Sequence, residues 1–143
     1  MSDLEAVMGQ FPPLFWTLVS LSTEDLDSLR ARLERYSNGE ILRIYWTFEQ
    51  ALAELEASPW ASEHRALTQT ELRDLSSWIV GQGEKTYRQA WTDPSRLVEQ
   101  PVQFNFVLLE CIDDVWRSRN GRRLSIDPPI EPEDYLMKWP DQE

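Results

Sequence analysis

The sequence has 143 residues, of which 41% are hydrophobic and 11% aromatic, and its formal net charge is -11 with a pI near 4.5. This length predicts a single domain over residues 1–143 with a real hydrophobic core, and the composition excludes a chain that is disordered throughout. The negative charge disfavours nucleic acid and anionic membranes as partners and favours a basic protein, although acidity also serves solubility alone.

Localisation signals are weak in this sequence. It contains no run of about 18 apolar residues that would suggest a membrane span. The first ten residues are acidic and lack the basic region that opens a secretory signal. Cys111 is the single cysteine, so no internal disulfide can form. A cytoplasmic location is therefore expected.

Proline and capping residues mark the first two helices. Residues 1–10 are expected to be loose or to form a short turn. The prolines of residues 11–13 predict an extended entry to a buried helix. The capping-box spacing of Ser22 and Asp25 predicts the start of a second helix, which Asn38-Gly39 closes. The apolar stripe of that helix consists of Leu26, Leu29, Leu33 and Tyr36.

Two further helices are predicted in the middle of the chain. Residues 40–57 form the longest segment with helical periodicity, and Ser58-Pro59 ends it. Trp60 is expected to plug the loop or single helical turn that follows. Thr68 and Glu71 have the spacing of a second capping box. The apolar residues of the helix that they begin are Leu72, Leu75, Trp78 and Ile79.

Two glycines are predicted to form a structural hinge after Trp78. Gly83 should occupy either a backbone conformation that other residues avoid or a close helix contact, and Gly81 should weaken the helix end. A helix resumes at residues 84–91. Asp93-Pro94 stops it, with Asp93 placed to cap a short helix that begins at Pro94.

The last long helix is predicted from Val102 to about Asn120. Its core-facing residues keep helical spacing for four turns, and Asn120-Gly121 ends it. Those residues are Val102, Phe106, Leu109, Ile112 and Trp116. Trp78, Phe106 and Leu109 are predicted to lie in the core.

The fold class that these segments predict is all-α. The expected architecture is a compact bundle of about six helices, with a helical core over residues 11–121. A proline-rich, acidic C-terminal packing arm covers residues 122–143. Tyr135, Leu136 and Trp139 are expected to pack this arm across the domain.

Four short motifs are not explained by helix formation alone. They are Phe15-Trp16, Glu40-Ile41-Leu42, Trp78-Ile79-Val80-Gly81-Gln82-Gly83 and Asp93-Pro94-Ser95-Arg96-Leu97. Together, over about residues 11–98, they resemble a bacterial family known as domain of unknown function 4240. The resemblance implies the fold but no activity. It also implies a glycine-rich Ser-Asp-Asp segment where this chain has residues 66–71, Ala-Leu-Thr-Gln-Thr-Glu, so any chemistry of those aspartates is expected to be lost here.

Reactive residues are scarce in the sequence. His64 is the only histidine, which excludes a metal site with several histidines. A catalytic pair of His64 with Cys111 is disfavoured, because Cys111 lies in an apolar helical stripe and His64 in a polar loop. Gly81-x-Gly83 follows a helix rather than a strand, so it is interpreted as a hinge and not as part of a phosphate loop.

Two charged clusters have alternative interpretations. Glu110 shares a helix face with Asp113 and Asp114, which makes these three the weak candidates for a cation site or for a carboxyl with a raised pKa. The alternative is a solvated face paired with nearby arginines. The arginine cluster could hold an anionic ligand or could complement the dipole of its helix. This cluster consists of Arg117, Arg119, Arg122 and Arg123.

The tail acids Glu131, Glu133 and Asp134 are the leading candidates for partner binding. Trp139 and Trp60 lie in irregular segments, and as partly exposed aromatic residues they are the candidate apolar anchors. The leading hypothesis is a non-catalytic acidic protein–protein interaction module, with no cofactor and no catalytic residue assigned. The alternatives are an immunity protein that masks a basic toxin and an enzyme that uses the carboxylates around Glu110. The equally ranked alternative for the tail aromatics is that they pin the tail to its own core.

Overall fold

A computed structural model describes residues 3–64, 66–94, 107–124 and 139–140. Within these ranges the chain forms helices and no strand, which confirms the all-α class. The helices are α1 (Asp3–Met8), α2 (Pro13–Glu24), α3 (Leu26–Arg35), α4 (Asn38–Glu56), α5 (Pro59–Glu63), α6 (Gln69–Gly81), α7 (Glu84–Thr92) and α8 (Val107–Asn120). None of the helices in the described ranges is both long enough and apolar enough to cross a membrane.

Eight helices are described where about six were expected, because α1 and α5 are too short to show helical periodicity. The expectation that residues 1–10 are loose or form a short turn is wrong for α1. Leu4, Val7 and Met8 are buried in the core on one face of this helix. Six residues do not form a stable helix alone, so packing against the domain holds α1 in place.

The entry to α2 follows the prediction, since Pro12 is extended (φ -69°, ψ 159°) and Pro13 opens the helix. The start of α3 differs from the prediction. Ser22 lies inside α2, where its hydroxyl donates to the carbonyl of Val19. Asp25 caps α3 instead, and its carboxylate accepts a hydrogen bond from the Ser28 amide at 3.2 Å. The Ser22 hydroxyl bonds back into its own helix, which leaves the cap to aspartate.

The boundary between α3 and α4 also differs from the prediction. Asn38-Gly39 does not close α3 but begins α4. Ser37 is the N-cap, and Glu40 returns its carboxylate to the Ser37 amide at 2.8 Å in a complete capping box. This box outweighs the helix-ending tendency of Asn-Gly. The predicted α3 stripe is narrower than expected, because Leu26 is 49% exposed.

Helix α4 is the longest helix of the described chain and packs against α5, α6 and α8. Its buried apolar residues are Ile41, Ile44, Phe48, Ala51, Leu52 and Leu55. Trp60 follows on α5 and is 0% exposed. The predicted plug is therefore confirmed. The expectation that Trp60 stays partly exposed is wrong, because the short helix α5 turns the indole into the core.

The predicted capping box of α6 is confirmed, with the Glu71 amide 3.1 Å from the Thr68 hydroxyl and the reciprocal bond at 2.9 Å. The buried face of α6 is rotated from the predicted stripe. Trp78 is half-buried, as are Leu72 and Leu75, so Trp78 packs at the edge of the core and not at its centre. The buried residues of α6 are Ser76, Ser77, Ile79, Val80 and Gly81.

Of the two predicted reasons for a glycine at position 83, the unusual backbone conformation is confirmed. Gly83 has φ 109° and ψ 179°, a region open essentially to glycine alone, and it is the N-cap of α7. A Cβ built at Gly83 would meet no atom within 4 Å, so a close helix contact is not the reason for the glycine. Gly81 is buried at the last position of α6.

Asp93 is the C-cap of α7, and a helix that begins at Pro94 would lie outside the described residues. Helix α8 ends at Asn120 as predicted, and Gly121 follows with φ 72°. Its buried residues are Leu108, Cys111, Ile112, Val115 and Trp116. Leu109 is half-buried, whereas Phe106 and residues 125–138, with the predicted arm helix, lie outside the described chain.

Candidate functional site

The three carboxylates that the sequence places on one face of α8 do not converge on a common point. Asp113 forms an ion pair with Arg117 at 3.1 Å and accepts a hydrogen bond from the amide of Leu124 at 3.1 Å. Asp114 instead faces Arg30 of α3 at 3.7 Å, and Glu110 is exposed near the start of α8.

This dispersal weakens the enzyme hypothesis built on Glu110. Asp113 fixes the turn after α8, because it binds both the helix and the Leu124 amide that follows it. Within the described ranges, no group of three or more histidine, cysteine or acidic residues is arranged to hold a metal ion. The interpretation of this face as carboxylates paired with arginines fits the geometry better than a cation site does.

Arg119 has a structural role that the sequence did not reveal. Its guanidinium donates to the backbone carbonyls of Tyr36 and Glu34, both at 2.6 Å, and to that of Leu33 at 3.3 Å. It also contacts the amide oxygen of Asn38 at 3.3 Å. Those carbonyls lie at the C-terminal end of α3, where the Leu33 carbonyl also accepts a hydrogen bond from the Tyr36 amide at 3.1 Å. Arg119 therefore caps a neighbouring helix rather than complementing its own.

Of the remaining arginines in the cluster, two form ion pairs with an aspartate and one is exposed to solvent. Arg117 and Arg123 both contact Asp113, at 3.1 and 3.8 Å, and Arg122 is exposed. An anion site formed by all four is not what the structure shows, because Arg119 is already bound to α3.

A small cleft of about 100 Å³ opens between α3 and α8. Its lining residues are Arg30, Glu34, Val115, Ser118 and Arg119. Cys111 lies close to Arg30, and burial raises the pKa of its thiol more than that arginine lowers it. His64 instead packs against Trp60, with ring centroids 5.0 Å apart. The two residues of the disfavoured catalytic pair thus lie in different surroundings.

An acidic group of side chains lies along the contact between α4 and α6. Arg73 of α6 bonds to both carboxylate oxygens of Glu49, at 3.0 and 2.9 Å. Glu56 lies two turns further along α4, close enough to feel the charges of both residues. Burial raises the pKa of Glu56, Arg73 lowers it, and Glu49 raises it further, with a net upward shift. We call Glu49, Glu56 and Arg73 the acidic seam.

The acidic seam holds two carboxylates for one guanidinium. The segment from Glu49 to Asp74 contains six acids and two arginines, which gives it a net charge of -4. Sequence spacing did not reveal the seam, because Glu49 and Arg73 lie on different helices. The seven-residue spacing of Glu49 and Glu56 on one helix was the available signal.

Trp139 lies near the C-terminal end of the sequence and packs against the helical core. The guanidinium carbon of Arg43 lies 5.6 Å from the ring centroid of Trp139 and 5.6 Å from that of Trp46. Trp139 is half-buried and Pro140 is buried. This favours the interpretation that the tail is pinned to the core. The tail acids Glu131, Glu133 and Asp134 lie outside the described residues.

Together these contacts define an all-α domain in which Asp113, Arg119 and Trp139 make contacts within the fold. Residues 13–116 match the profile of a family described as protein of unknown function (DUF4240), and the chain belongs to this family. The match confirms the resemblance seen in the sequence and extends it into α8. No curated protein and no solved structure matches the chain. The family's expected Ser-Asp-Asp segment stays a prediction.

Proposed function

We propose that this protein is a non-catalytic acidic interaction module that binds a basic protein partner. The observation that carries the proposal is the unbalanced charge of the acidic seam. Glu49 is already paired with Arg73, so the half-buried Glu56 carboxylate lacks a cation of its own within 4 Å among the described residues. A lysine or arginine of a partner would supply that cation and offset the cost of its burial.

The C-terminal acids extend the same chemistry in this proposal. From Leu124 to Glu143 the sequence has six acids and Lys138, which gives a net charge of -5. Glu131, Glu133 and Asp134 are the proposed partner-binding residues there. Opposite charge on a partner speeds its encounter with such a surface and discriminates against acidic or nucleic-acid competitors.

The test begins with chemical cross-linking in the native cell to identify the partner, followed by calorimetry on the purified pair. Replacing Glu131, Glu133 and Asp134 together by lysine should weaken binding by about tenfold or more, because three favourable charge contacts become repulsive. The melting temperature should move little.

A matched control variant distinguishes a local effect of the tail acids from an effect of the net charge alone. Glu24, Asp27 and Glu34 are exposed acids of α2 and α3, and lysine at all three changes the net charge by the same amount. This control triple should bind almost as well as the wild type. Unchanged affinity in the tail triple, or an equal loss in both triples, would remove Glu131, Glu133 and Asp134 from the interface.

A further inference from the structure

Arg43 lies between two tryptophan rings that come from distant parts of the chain. Trp46 is on α4, one turn after Arg43, and Trp139 comes from the C-terminal end. Both rings have their centroids 5.6 Å from the guanidinium carbon, within the distance of about 6 Å at which a cation is attracted to an aromatic face. The next residue, Pro140, is buried.

The contact lies outside the centre of the core. Arg43, Trp46 and Trp139 are all half-buried, whereas their neighbours Ile41 and Ile44 on α4 are fully buried. The helices pack around those inward residues, and Trp139 packs against this core from its edge. The Trp139 ring therefore contacts α4 outside the row of fully buried residues.

We propose that Arg43 and Trp46 form a docking site for Trp139-Pro140, and that this contact is a clasp that opens without unfolding the helices. Opening the clasp removes the Trp139 ring from an arginine and a tryptophan on α4, the residue types enriched where proteins bind one another. In this proposal Trp139 holds the C-terminal end in place and does not anchor a partner. The proposal rests on these contacts alone and does not depend on which partner the protein binds.

A double-mutant cycle tests the contact directly. Unfolding equilibrium constants are measured in denaturant for the wild type, Arg43→Gln, Trp139→Ala and the double variant. Arg43→Gln removes the charge and keeps a polar side chain of similar reach. If Arg43 and Trp139 interact, the effect of the double variant should differ from the product of the single effects by about 2- to 30-fold.

The control cycle uses Arg35→Gln with Trp139→Ala. Arg35 is an exposed arginine at the end of α3, so the same charge is removed away from the rings. This second cycle should be multiplicative. A multiplicative result in the Arg43 cycle, or equal coupling in both cycles, would overturn the proposal, because the rings would then not depend on that guanidinium.

Hydrogen exchange tests whether the clasp opens separately from the fold. In Trp139→Ala, peptides that contain residues 139–143 should exchange at least about tenfold faster than in the wild type, while amides of α4 keep their protection. Trp139→Phe should exchange at an intermediate rate, since it retains an aromatic face. Loss of protection in α4 together with the C-terminal end would show that Trp139 is part of the core. No change in either region would show that it holds nothing.

Discussion

Replacing Gly83 by alanine isolates the cost of one backbone conformation. The native φ of 109° with ψ of 179° is a region that residues with a Cβ avoid, and holding alanine there costs about 1–3 kcal/mol. Alanine returns about 0.4–1 kcal/mol by restricting the unfolded chain. Because a Cβ at Gly83 meets nothing within 4 Å, no steric clash adds to this difference. The middle of the two ranges gives an expected net loss of about 1.3 kcal/mol of unfolding free energy.

The assay is equilibrium unfolding in urea, with Gly9→Ala as the matched control. A Cβ at Gly9 would lie 3.4 Å from the nearest carbonyl oxygen, at ordinary contact distance, and its φ lies outside the left-handed region. Gly9→Ala should therefore leave the stability unchanged or raise it slightly. If Gly83→Ala proved as stable as the wild type, the strain assigned to this turn would be absent. Equal losses at both glycines would point to helix packing instead.

Three further predictions concern single side chains. Ser76→Ala and Ser77→Ala should leave stability unchanged or raise it by about 0.5–2 kcal/mol in urea melts, because each hydroxyl is buried and has no hydrogen-bond partner among the described residues. A loss above about 1 kcal/mol would contradict this. Arg119→Ala should cost about 1–3 kcal/mol by removing the guanidinium that bonds the carbonyls of Glu34 and Tyr36 at the end of α3. Arg122→Ala should cost almost nothing, and equal effects of the two substitutions would refute the cap. The raised pKa of Glu56 means that the folded state holds its proton more tightly, so its contribution to stability is present below the usual value of 4.5 and is lost as pH rises through the folded pKa. Glu56→Gln should flatten that part of the pH–stability profile, and an unchanged slope would show that Glu56 is not responsible.

Local signals in the sequence predicted the helix boundaries well where one signal acted alone. Thr68 with Glu71 formed the predicted capping box, and the proline at position 13 opened α2. Where a helix-start signal and a helix-end signal overlap, the sequence alone does not show which one prevails. Asn38-Gly39 suggests a helix end, but Ser37 with Glu40 turns the same residues into a helix start. The strength of a cap depends on both partners, and Asn-Gly alone shows only one of them.

The contacts that define the candidate site join residues far apart in the sequence. Arg119 binds α3 across more than 80 residues, and Arg43 meets Trp139 across a similar separation. Spacing within one helix cannot predict such pairs, because it fixes a face but not what packs against that face. For the same reason the sequence predicts a partly exposed Trp60, although α5 directs it into the core.

The salt dependence of association tests the central claim, an acidic surface that binds a basic protein, most directly. Association rates of the purified pair are measured by stopped-flow fluorescence between about 0.05 and 0.5 M salt, with dissociation rates followed in parallel. The acidic surface predicts an association rate that falls at least about tenfold over this range while dissociation changes much less. An association rate that does not change with salt would contradict the claim.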